Sequence, residues 1–248
     1  MEYINRIYRS HFQQERWHFF GVQYKESDLY IGVEKNSWHP QMPIFANQQL
    51  QALRQEMDHW IIQHPEYAQA LKPINIPQNG PLIFQEMAQV ALLTGIGPMS
   101  AIAGAVAEHI GKAIKKQFNV VEILVENGGD IYADIQQELD VSVFAGRSPL
   151  SEKVGLSIPA TYSSLGICTS SGTIGPSLSF GKADAVMIVC QDVKLADSYA
   201  TAFANQIQTV NDIPDCIHRI QTCPQIIAAI AIKDDKMGIH SPFGLKLF

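Results

Sequence analysis

Three short segments of this sequence combine hydroxyl, carboxylate and glycine residues in patterns suited to binding a ligand. The first is CTSSGT at residues 168–173, inside an uncharged stretch that covers residues 154–181. Short hydroxyl side chains on a glycine-containing backbone can direct several donors at one anionic ligand without an ion pair. The same hydroxyls could instead satisfy the local backbone of a polar turn, so the residues alone leave both interpretations open.

The second segment is Glu-Asn-Gly-Gly-Asp at residues 126–130, which follows a predicted hydrophobic strand. Asn-Gly-Gly by itself predicts a hairpin turn, and a turn explains the glycines. It does not explain the carboxylate on each side. Because Gly128 and Gly129 carry no side chains, a flat or phosphorylated ligand could approach the main chain here.

The third segment is Ala-Asp-Ser-Tyr-Ala-Thr-Ala at residues 196–202. Asp197 and Thr201 are four residues apart and share one face of a predicted helix. Their carboxylate and hydroxyl oxygens could therefore ligate one hard cation such as magnesium. An aspartate near a helix start is more often a cap or a partner of the helix dipole, and this alternative also stays open.

The composition and charge of the chain indicate which class of protein it is. The chain has 248 residues, of which 46% are hydrophobic and 17% charged, with a net charge of −6. These values predict a globular protein with a large core, and they disfavour nucleic acid and anionic membranes as partners. Four cysteines without Cys-x-x-Cys spacing predict free thiols in a reducing compartment. The polar start of the sequence lacks a signal-peptide core, so we expect a cytoplasmic protein.

The predicted elements make an α+β protein with a mixed, largely antiparallel sheet and packed helices rich in small residues. We expect one domain over residues 1–248, with two lobes joined near residues 73–81 as an alternative. The uncharged residues 88–107 contain a Gly-Ile-Gly-Pro break, which favours two helices at a buried turn over a membrane span. Helical periodicity predicts helices over residues 47–63, 82–93, 98–116, 195–208 and 212–222, and Asn47 is the expected N-cap of the first. Strands are predicted in 16–34, 120–170, 185–190 and the C-terminal region.

Together these segments resemble the ApbE family, flavin transferases that bind FAD and, with magnesium, move FMN onto a protein threonine. The closest similarity is to a smaller, cytoplasmic, uncharacterised ApbE-like branch. This resemblance implies a T-fold-like α+β domain. It rests on Ser-Ala-Ile-Ala-Gly at 100–104, Pro-Met-Ser-Ala at 98–101, Glu-Asn-Gly-Gly-Asp-Ile-Tyr at 126–132, Cys-Thr-Ser-Ser-Gly-Thr at 168–173, Ser-Leu-Ser-Phe-Gly-Lys-Ala-Asp-Ala at 177–185 and the Asp197 and Thr201 segment.

The resemblance implies a site for FAD and Mg²⁺. The Asp197 carboxylate, the Thr201 hydroxyl and a backbone carbonyl near Ala103 would hold the metal. The flavin nucleotide would be lined by Ser100, Asn127, Gly128, Gly129, Asp130, Thr169, Ser170, Ser171, Gly172 and Thr173. The expected partners are the flavin nucleotide and an acceptor or partner protein, and a homo-oligomer is left open.

Two departures from the ApbE pattern affect the expected chemistry. The lysine of the ApbE helix is Gly104 here, and the histidine after the Ser-Gly segment aligns with Pro176. With less compensation of phosphate charge and no histidine for proton transfer, we expect FMN transfer to be slow or undetectable, with slow FAD hydrolysis at most. Asp130 is the candidate substitute base.

Two other functions remain as alternatives. The ApbE-like family is also linked with sulfide assimilation into homocysteine, which would make Cys168 a catalytic residue that carries sulfur as a persulfide. A lone cysteine at a strand end is more often an inert core residue. The third possibility is a non-catalytic scaffold that acts through a partner protein.

Overall fold

The computed structural model describes residues 16–76, 80–174 and 179–248. Within these ranges, runs of strands are separated by runs of helices. The helices are α1 (Met42–Gln63), α2 (Pro65–Gln69), α3 (Leu82–Thr94), α4 (Ile102–Phe118), α5 (Val193–Ala204) and α6 (Ile213–Gln221). The strands are β1 (Trp17–Tyr24), β2 (Ser27–Glu34), β3 (Ile123–Asn127), β4 (Asp130–Asp134), β5 (Leu139–Ser142), β6 (Val154–Ile158), β7 (Leu165–Ser170), β8 (Ala185–Cys190), β9 (Ile226–Lys233), β10 (Lys236–His240) and β11 (Leu245–Leu247).

Two sheets organise the described residues. The larger sheet has eight strands in the order β1-β2-β3-β4-β7-β8-β9-β10, and the smaller has three in the order β11-β6-β5. Every neighbouring pair in both sheets is antiparallel. The predicted α+β class with a largely antiparallel sheet is therefore confirmed.

Both faces of the eight-stranded sheet are covered, which explains the continuous apolar runs in its central strands. One face packs against the helices and forms the larger core. The opposite face packs against the three-stranded sheet and forms a second core. Strand β4 shows the alternation, because Tyr132 faces the helices whereas Ile131 and Ala133 face the small sheet. All six residues of β8 are buried.

Several helix boundaries differ from the sequence prediction. Helix α1 begins at Met42, so Asn47 lies inside the helix and is not its N-cap. Pro43 stands in the first turn, where a missing N–H is tolerated, and this allows the earlier start. The predicted helix over 98–116 begins as a 3₁₀ turn, Pro98–Ala101, before α4. Helix α5 begins at Val193.

The uncharged segment around α3 and α4 is sharply bent. Gly95 ends α3 with a φ of 75°, a left-handed conformation that glycine adopts readily. The helices on the two sides of this break, Leu82–Thr94 and Pro98–Phe118, meet at 106°. Among the described residues, no single helix has the length and apolar character needed to cross a membrane. The predicted connector over 73–81 lies partly outside the described residues.

Candidate functional site

The crossing of α4 over α5 places the Asp197 carboxylate at the start of α4. The backbone N–H of Gly104 donates to Asp197 Oδ2 at 2.8 Å, and the N–H of Ala103 also donates to this carboxylate. No side chain adjacent to α4 caps it. Asp197 therefore caps α4 from a neighbouring helix, which places a negative charge at the positive end of the α4 dipole.

This crossing is close because Gly104 has no side chain. A Cβ atom there would lie 2.9 Å from the carbonyl oxygen of Val193 and 3.1 Å from Asp197 Cβ. Gly166 in β7 plays the corresponding role beneath α5, since its Cβ would lie 2.5 Å from Val193 Cα. Gly166 was not among the sequence candidates, although a glycine within a predicted strand often marks a close backbone approach.

The other implied metal ligands lie on neighbouring elements. Asn127, at the end of β3, donates from Nδ2 to the carbonyl oxygen of Ala103 at 3.1 Å. One turn after Asp197, Thr201 donates from Oγ1 to the Ser170 hydroxyl oxygen at 3.4 Å. The structure thus joins the 127–130 turn to α4 and the 168–173 segment to α5.

Asp130 is the first residue of β4 and lies beside these implied metal ligands. It pairs with Cys168 across β4 and β7, and its side chain is on the helix-covered face. Burial raises the pKa of Asp130 well above its ordinary range, and the nearby Asp197 carboxylate raises it further. Burial also raises the pKa of Asp197 to about 7. Neither carboxylate forms an ion pair with the described residues, so each binds a proton more tightly than an exposed carboxylate does.

Cys168 is fully buried next to these carboxylates. Its thiol donates to the carbonyl oxygen of Val193, with an S–O distance of 3.6 Å, and lies within hydrogen-bonding reach of Asp130. Burial and the charges of Asp130 and Asp197 raise the pKa of this thiol well above its usual value. A thiol in this environment stays protonated and is a poor nucleophile.

The Ser/Thr segment at 168–173 has a partly internal hydrogen-bond network. Ser171 Oγ accepts from the N–H of Thr173 and the N–H of Ile174, both at 3.1 Å. Thr173 donates from Oγ1 to Asp184 Oδ1 at 3.1 Å. These bonds are those of a self-supporting turn, while Thr169 and Ser170 lie on the end of β7 beside Asp130. Pro176 lies outside the described residues.

Ser100 also makes its contacts within the protein. Its hydroxyl donates to the carbonyl oxygen of Gly97 at 2.7 Å and lies 2.8 Å from Ser198 Oγ. Ser198 is fully buried and also lies 2.8 Å from Thr94 Oγ1. This hydroxyl cluster ties α3 and the Pro98–Ala101 turn to α5, a connection that sequence reasoning missed because Ser198 resembles any other small helical residue.

The 127–130 turn is held by its own carboxylate. The N–H of Gly129 donates to Glu126 Oε1 at 2.8 Å, so this buried glutamate shapes the turn. Gly128 and Gly129 have φ values of 72° and 105°, which other residues rarely adopt. Gly128 is exposed, so its backbone is open to a ligand from solvent.

Comparison with known proteins places this chain in a family. A family model described as AbpE bacteria matches residues 9–223. The chain belongs to this family. A "UPF0280 protein" of Methanosphaerula palustris is 37% identical over 193 residues, which are 78% of each chain. A protein of the same description from Methanospirillum hungatei is 39% identical over 173 residues, 70% of this chain and 69% of the relative.

The fold of this ApbE-like protein also matches a solved structure. The apo form of the flavinyl transferase ApbE of Pseudomonas stutzeri has a TM-score of 0.59 and 11% sequence identity, with coverage of 91% of this chain and 94% of that chain. At this identity the similarity shows the fold alone. The ApbE-like resemblance drawn from the sequence motifs is thus confirmed for family and fold.

Proposed function

We propose that this ApbE-like protein binds FAD together with Mg²⁺ at the crossing of α4 and α5. The observation that carries the proposal is the buried pair of carboxylates, Asp130 and Asp197, without an ion-pair partner among the described residues. Two adjacent buried carboxylates repel each other strongly, so a divalent cation would relieve an electrostatic cost already built into the fold.

The oxygen donors around Asp197 fit magnesium. Magnesium prefers oxygen ligands and usually retains several waters, so one carboxylate, one hydroxyl and one carbonyl form a suitable partial shell. We assign these roles to Asp197, Thr201 and the Ala103 carbonyl. Among the described residues, no group of three or more His, Cys, Asp and Glu side chains is arranged to hold a metal, so water and the bound nucleotide would have to complete the shell. When bound, magnesium would draw negative charge from diphosphate oxygens.

The FAD diphosphate would lie between the 127–130 turn and the end of β7. The turn offers an exposed backbone at Gly128, and β7 offers the half-buried hydroxyls of Thr169 and Ser170. Asn127 supports this arrangement because its amide holds the Ala103 carbonyl in place. Ser171, Gly172 and Thr173 would shape the rim, and Ser100 would support it through Ser198.

For chemistry, we assign Asp130 as the proton acceptor for an incoming hydroxyl. A carboxylate of ordinary pKa is a weak base at neutral pH, whereas burial and the nearby Asp197 raise the pKa of Asp130 and so make its carboxylate form a stronger base. The small residue at position 104 leaves the diphosphate without a lysine, so we expect slow FMN transfer to an acceptor protein or slow FAD hydrolysis. We place this activity in the cytoplasm, in agreement with four free cysteines in the described chain.

The two alternatives from the sequence gain no support. A sulfur carrier needs a reactive thiolate, whereas Cys168 is buried and its pKa is raised. A scaffold without a ligand offers no compensation for the electrostatic cost of burying the Asp130 and Asp197 carboxylates together.

Calorimetric titration with FAD, with and without Mg²⁺, tests the proposal directly. We expect binding that depends on magnesium in the unmodified protein and is lost in Asp197→Asn. Asp235→Asn is the matched control, because Asp235 is an exposed carboxylate on the β9–β10 turn. Incubation with FAD and Mg²⁺ followed by chromatography for FMN and AMP then measures turnover. No heat with FAD under either condition would refute the binding claim.

A further inference from the structure

The segment Ser-Phe-Gly-Lys at residues 179–182 crosses the C-terminal end of α5. Ser179 donates from Oγ to Asn205 Oδ1 at 3.2 Å, and Asn205 is the C-cap residue of this helix. The N–H of Asn205 in turn donates to the carbonyl oxygen of Thr201 at 3.1 Å. The segment therefore lies one helical turn from Thr201, which the proposed function assigns to the metal shell.

The same segment also contacts the Ser/Thr turn at Gly172. The N–H of Gly172 donates to the carbonyl oxygen of Ala183 at 2.9 Å. A Cβ atom at Gly172 would lie 2.2 Å from the carbonyl oxygen of Gly181 and 2.9 Å from the backbone nitrogen of Lys182. A side chain at position 172 would thus separate the two segments. Phe180 and Lys182 therefore stand directly beside the proposed rim of the flavin site.

The backbone of Phe180 is held in place while its ring is exposed. The N–H of Phe180 donates to Asn205 Oδ1 at 2.8 Å, and its carbonyl oxygen accepts from Gln208 Nε2 at 2.8 Å. The side chain is nevertheless 59% exposed. An aromatic ring on a fixed backbone offers a large stacking surface, and little further ordering is needed when a flat ligand binds to it.

Lys182 provides a positive charge two residues after this ring. It is exposed and has no ion-pair partner among the described residues. Asp184, the carboxylate nearest to it in sequence, is engaged elsewhere. It accepts from Thr173 Oγ1 at 3.1 Å and from the N–H of Asp234 at 2.6 Å, and it lies 3.6 Å from Lys233 Nζ. The Lys182 ammonium, on its flexible four-carbon stem, is therefore available to an anion.

We infer that Phe180 and Lys182 bind the flavin nucleotide, an inference that rests on the proposed function. The Phe180 ring stacks on an aromatic ring of FAD, and the Lys182 ammonium pairs with a phosphate oxygen. FAD joins flat aromatic rings to a charged diphosphate, so its chemistry matches the two side chains. Lys182 also supplies, from another element, part of the positive charge that Gly104 cannot provide.

Removal of the Phe180 ring tests the stacking contact. We expect Phe180→Ala to raise the Kd for FAD in the presence of Mg²⁺ about fivefold or more, which is the usual effect of losing one stacked aromatic side chain. Phe248→Ala is the matched control, because Phe248 is 53% exposed at the last residue of the chain. Calorimetry measures both affinities, and circular dichroism checks that each variant is folded.

Removal of the Lys182 charge tests the phosphate contact. We expect Lys182→Gln to raise the Kd for FAD by roughly two- to fivefold at low salt, the range of an exposed ion pair. The difference from the unmodified protein should shrink as salt is added, because salt screens exposed charges. Lys182→Arg should retain the affinity. Lys153→Gln is the control, since Lys153 is an exposed lysine that immediately precedes β6 of the three-stranded sheet.

The visible absorbance of bound FAD shows which of its two ring systems stacks on Phe180. If the ring is the isoalloxazine, the absorbance spectrum of bound FAD should differ between the unmodified protein and Phe180→Ala. If the ring is adenine, the two spectra should agree although the affinity falls. Either result supports the stacking contact.

The outcomes separate this inference from the proposed function. Magnesium-dependent FAD binding with equal affinity in the unmodified protein, Phe180→Ala and Lys182→Gln would overturn the inference and leave the proposed function standing. Unchanged affinity in one of the two variants would overturn the contact assigned to that residue. Absence of FAD binding to the unmodified protein would refute the proposed function, and this inference would fall with it.

Discussion

Asp197 combines a structural contact with the proposed metal contact in one side chain. It accepts backbone N–H groups at the start of α4 while lying next to Asp130 in a buried site. Loss of an N-cap costs about 1 kcal/mol, so Asp197→Ala would lower stability whether or not the protein binds metal. A substitution that retains one side-chain oxygen separates the two roles.

We therefore predict that Asp197→Asn retains the fold and loses magnesium-dependent FAD binding. The asparagine oxygen can still accept from the Gly104 N–H, whereas the negative charge that holds the cation is gone. The FAD dissociation constant in magnesium should rise at least about tenfold, or about 1.4 kcal/mol. Calorimetry measures the affinity, and thermal unfolding measures the fold. Equal affinity in Asp197→Asn and Asp235→Asn would remove Asp197 from the site.

The same carboxylate gives a prediction about pH. The pKa of Asp197 is raised to about 7 in the folded protein, against about 3.9 in an unfolded chain. Between these values the folded state binds more protons, so the ligand-free protein should lose stability as pH rises from about 4 to about 7. Urea unfolding at several pH values measures the slope, which should be smaller in Asp197→Asn. A slope that is identical in both proteins would mean that Asp197 titrates normally.

Asp130 carries the prediction about chemistry. We expect Asp130→Asn to reduce the rate of FMN formation by a factor on the order of 10²–10⁴, the usual contribution of a general base. FAD affinity should change less than the rate, because the amide retains an oxygen and a similar shape. Chromatography of FMN and AMP over long incubations measures the rate. An unchanged rate in Asp130→Asn would assign the proton acceptor elsewhere.

At the scale of elements, the site depends on how closely α4 approaches α5 and β7. Gly104 and Gly166 remove the side chains that would separate these elements. The resulting contact puts the first N–H groups of α4 on a carboxylate of α5, and Asn127 of β3 fixes the Ala103 carbonyl. Position 104, read from the sequence as a missing lysine, is thus also a packing position.

We predict that Gly104→Ala destabilises the protein by about 1–3 kcal/mol, because its methyl group would be forced against the Val193 carbonyl oxygen. The strain separates α4 from Asp197, so magnesium-dependent FAD binding should weaken as well. Gly244→Ala is the control, since a Cβ at Gly244 meets nothing within 4 Å. Equal denaturation midpoints for both variants would contradict this account of the crossing.

At the scale of the whole molecule, the eight-stranded sheet separates the site from the second core. Leu156 lies in the core between the two sheets, whereas Ile188 lies on the helix-covered face and pairs with Cys168. Both side chains are fully buried. Loss of packing on one face of the sheet should therefore affect stability and ligand binding to different extents.

We predict that Leu156→Ala and Ile188→Ala each cost about 2–5 kcal/mol of unfolding free energy. Only Ile188→Ala should also weaken FAD binding, because the cavity it leaves is next to Cys168, which pairs with Asp130 on its other side. Unfolding and calorimetry below the melting temperature give the two quantities. A large loss of affinity in folded Leu156→Ala would show that the two faces of the sheet are coupled.

The sequence alone determined most element types, the fold class and the family, although the short helix α2 was not predicted. Alternating apolar residues, Gly-Gly turns and small-residue helices are local signals, and the motifs around Asp130, Cys168 and Asp197 are specific enough to identify an ApbE-like chain. Local signals were weaker at element ends. Asn47 has the chemistry of an N-cap, yet the helix starts earlier because Pro43 is equally compatible with a first turn.

Only the tertiary structure decided which of these residues meet and how their pKa values change. Asp130 and Asp197 are far apart in the chain, and they become neighbours through the register of β4 with β7 and the close crossing of α5. A raised pKa requires removal of water, which depends on packing from several elements at once. The chemistry of each side chain follows from its residue type. Which side chains lie close together, and how far they are removed from water, depends on contacts between residues that are distant in the chain.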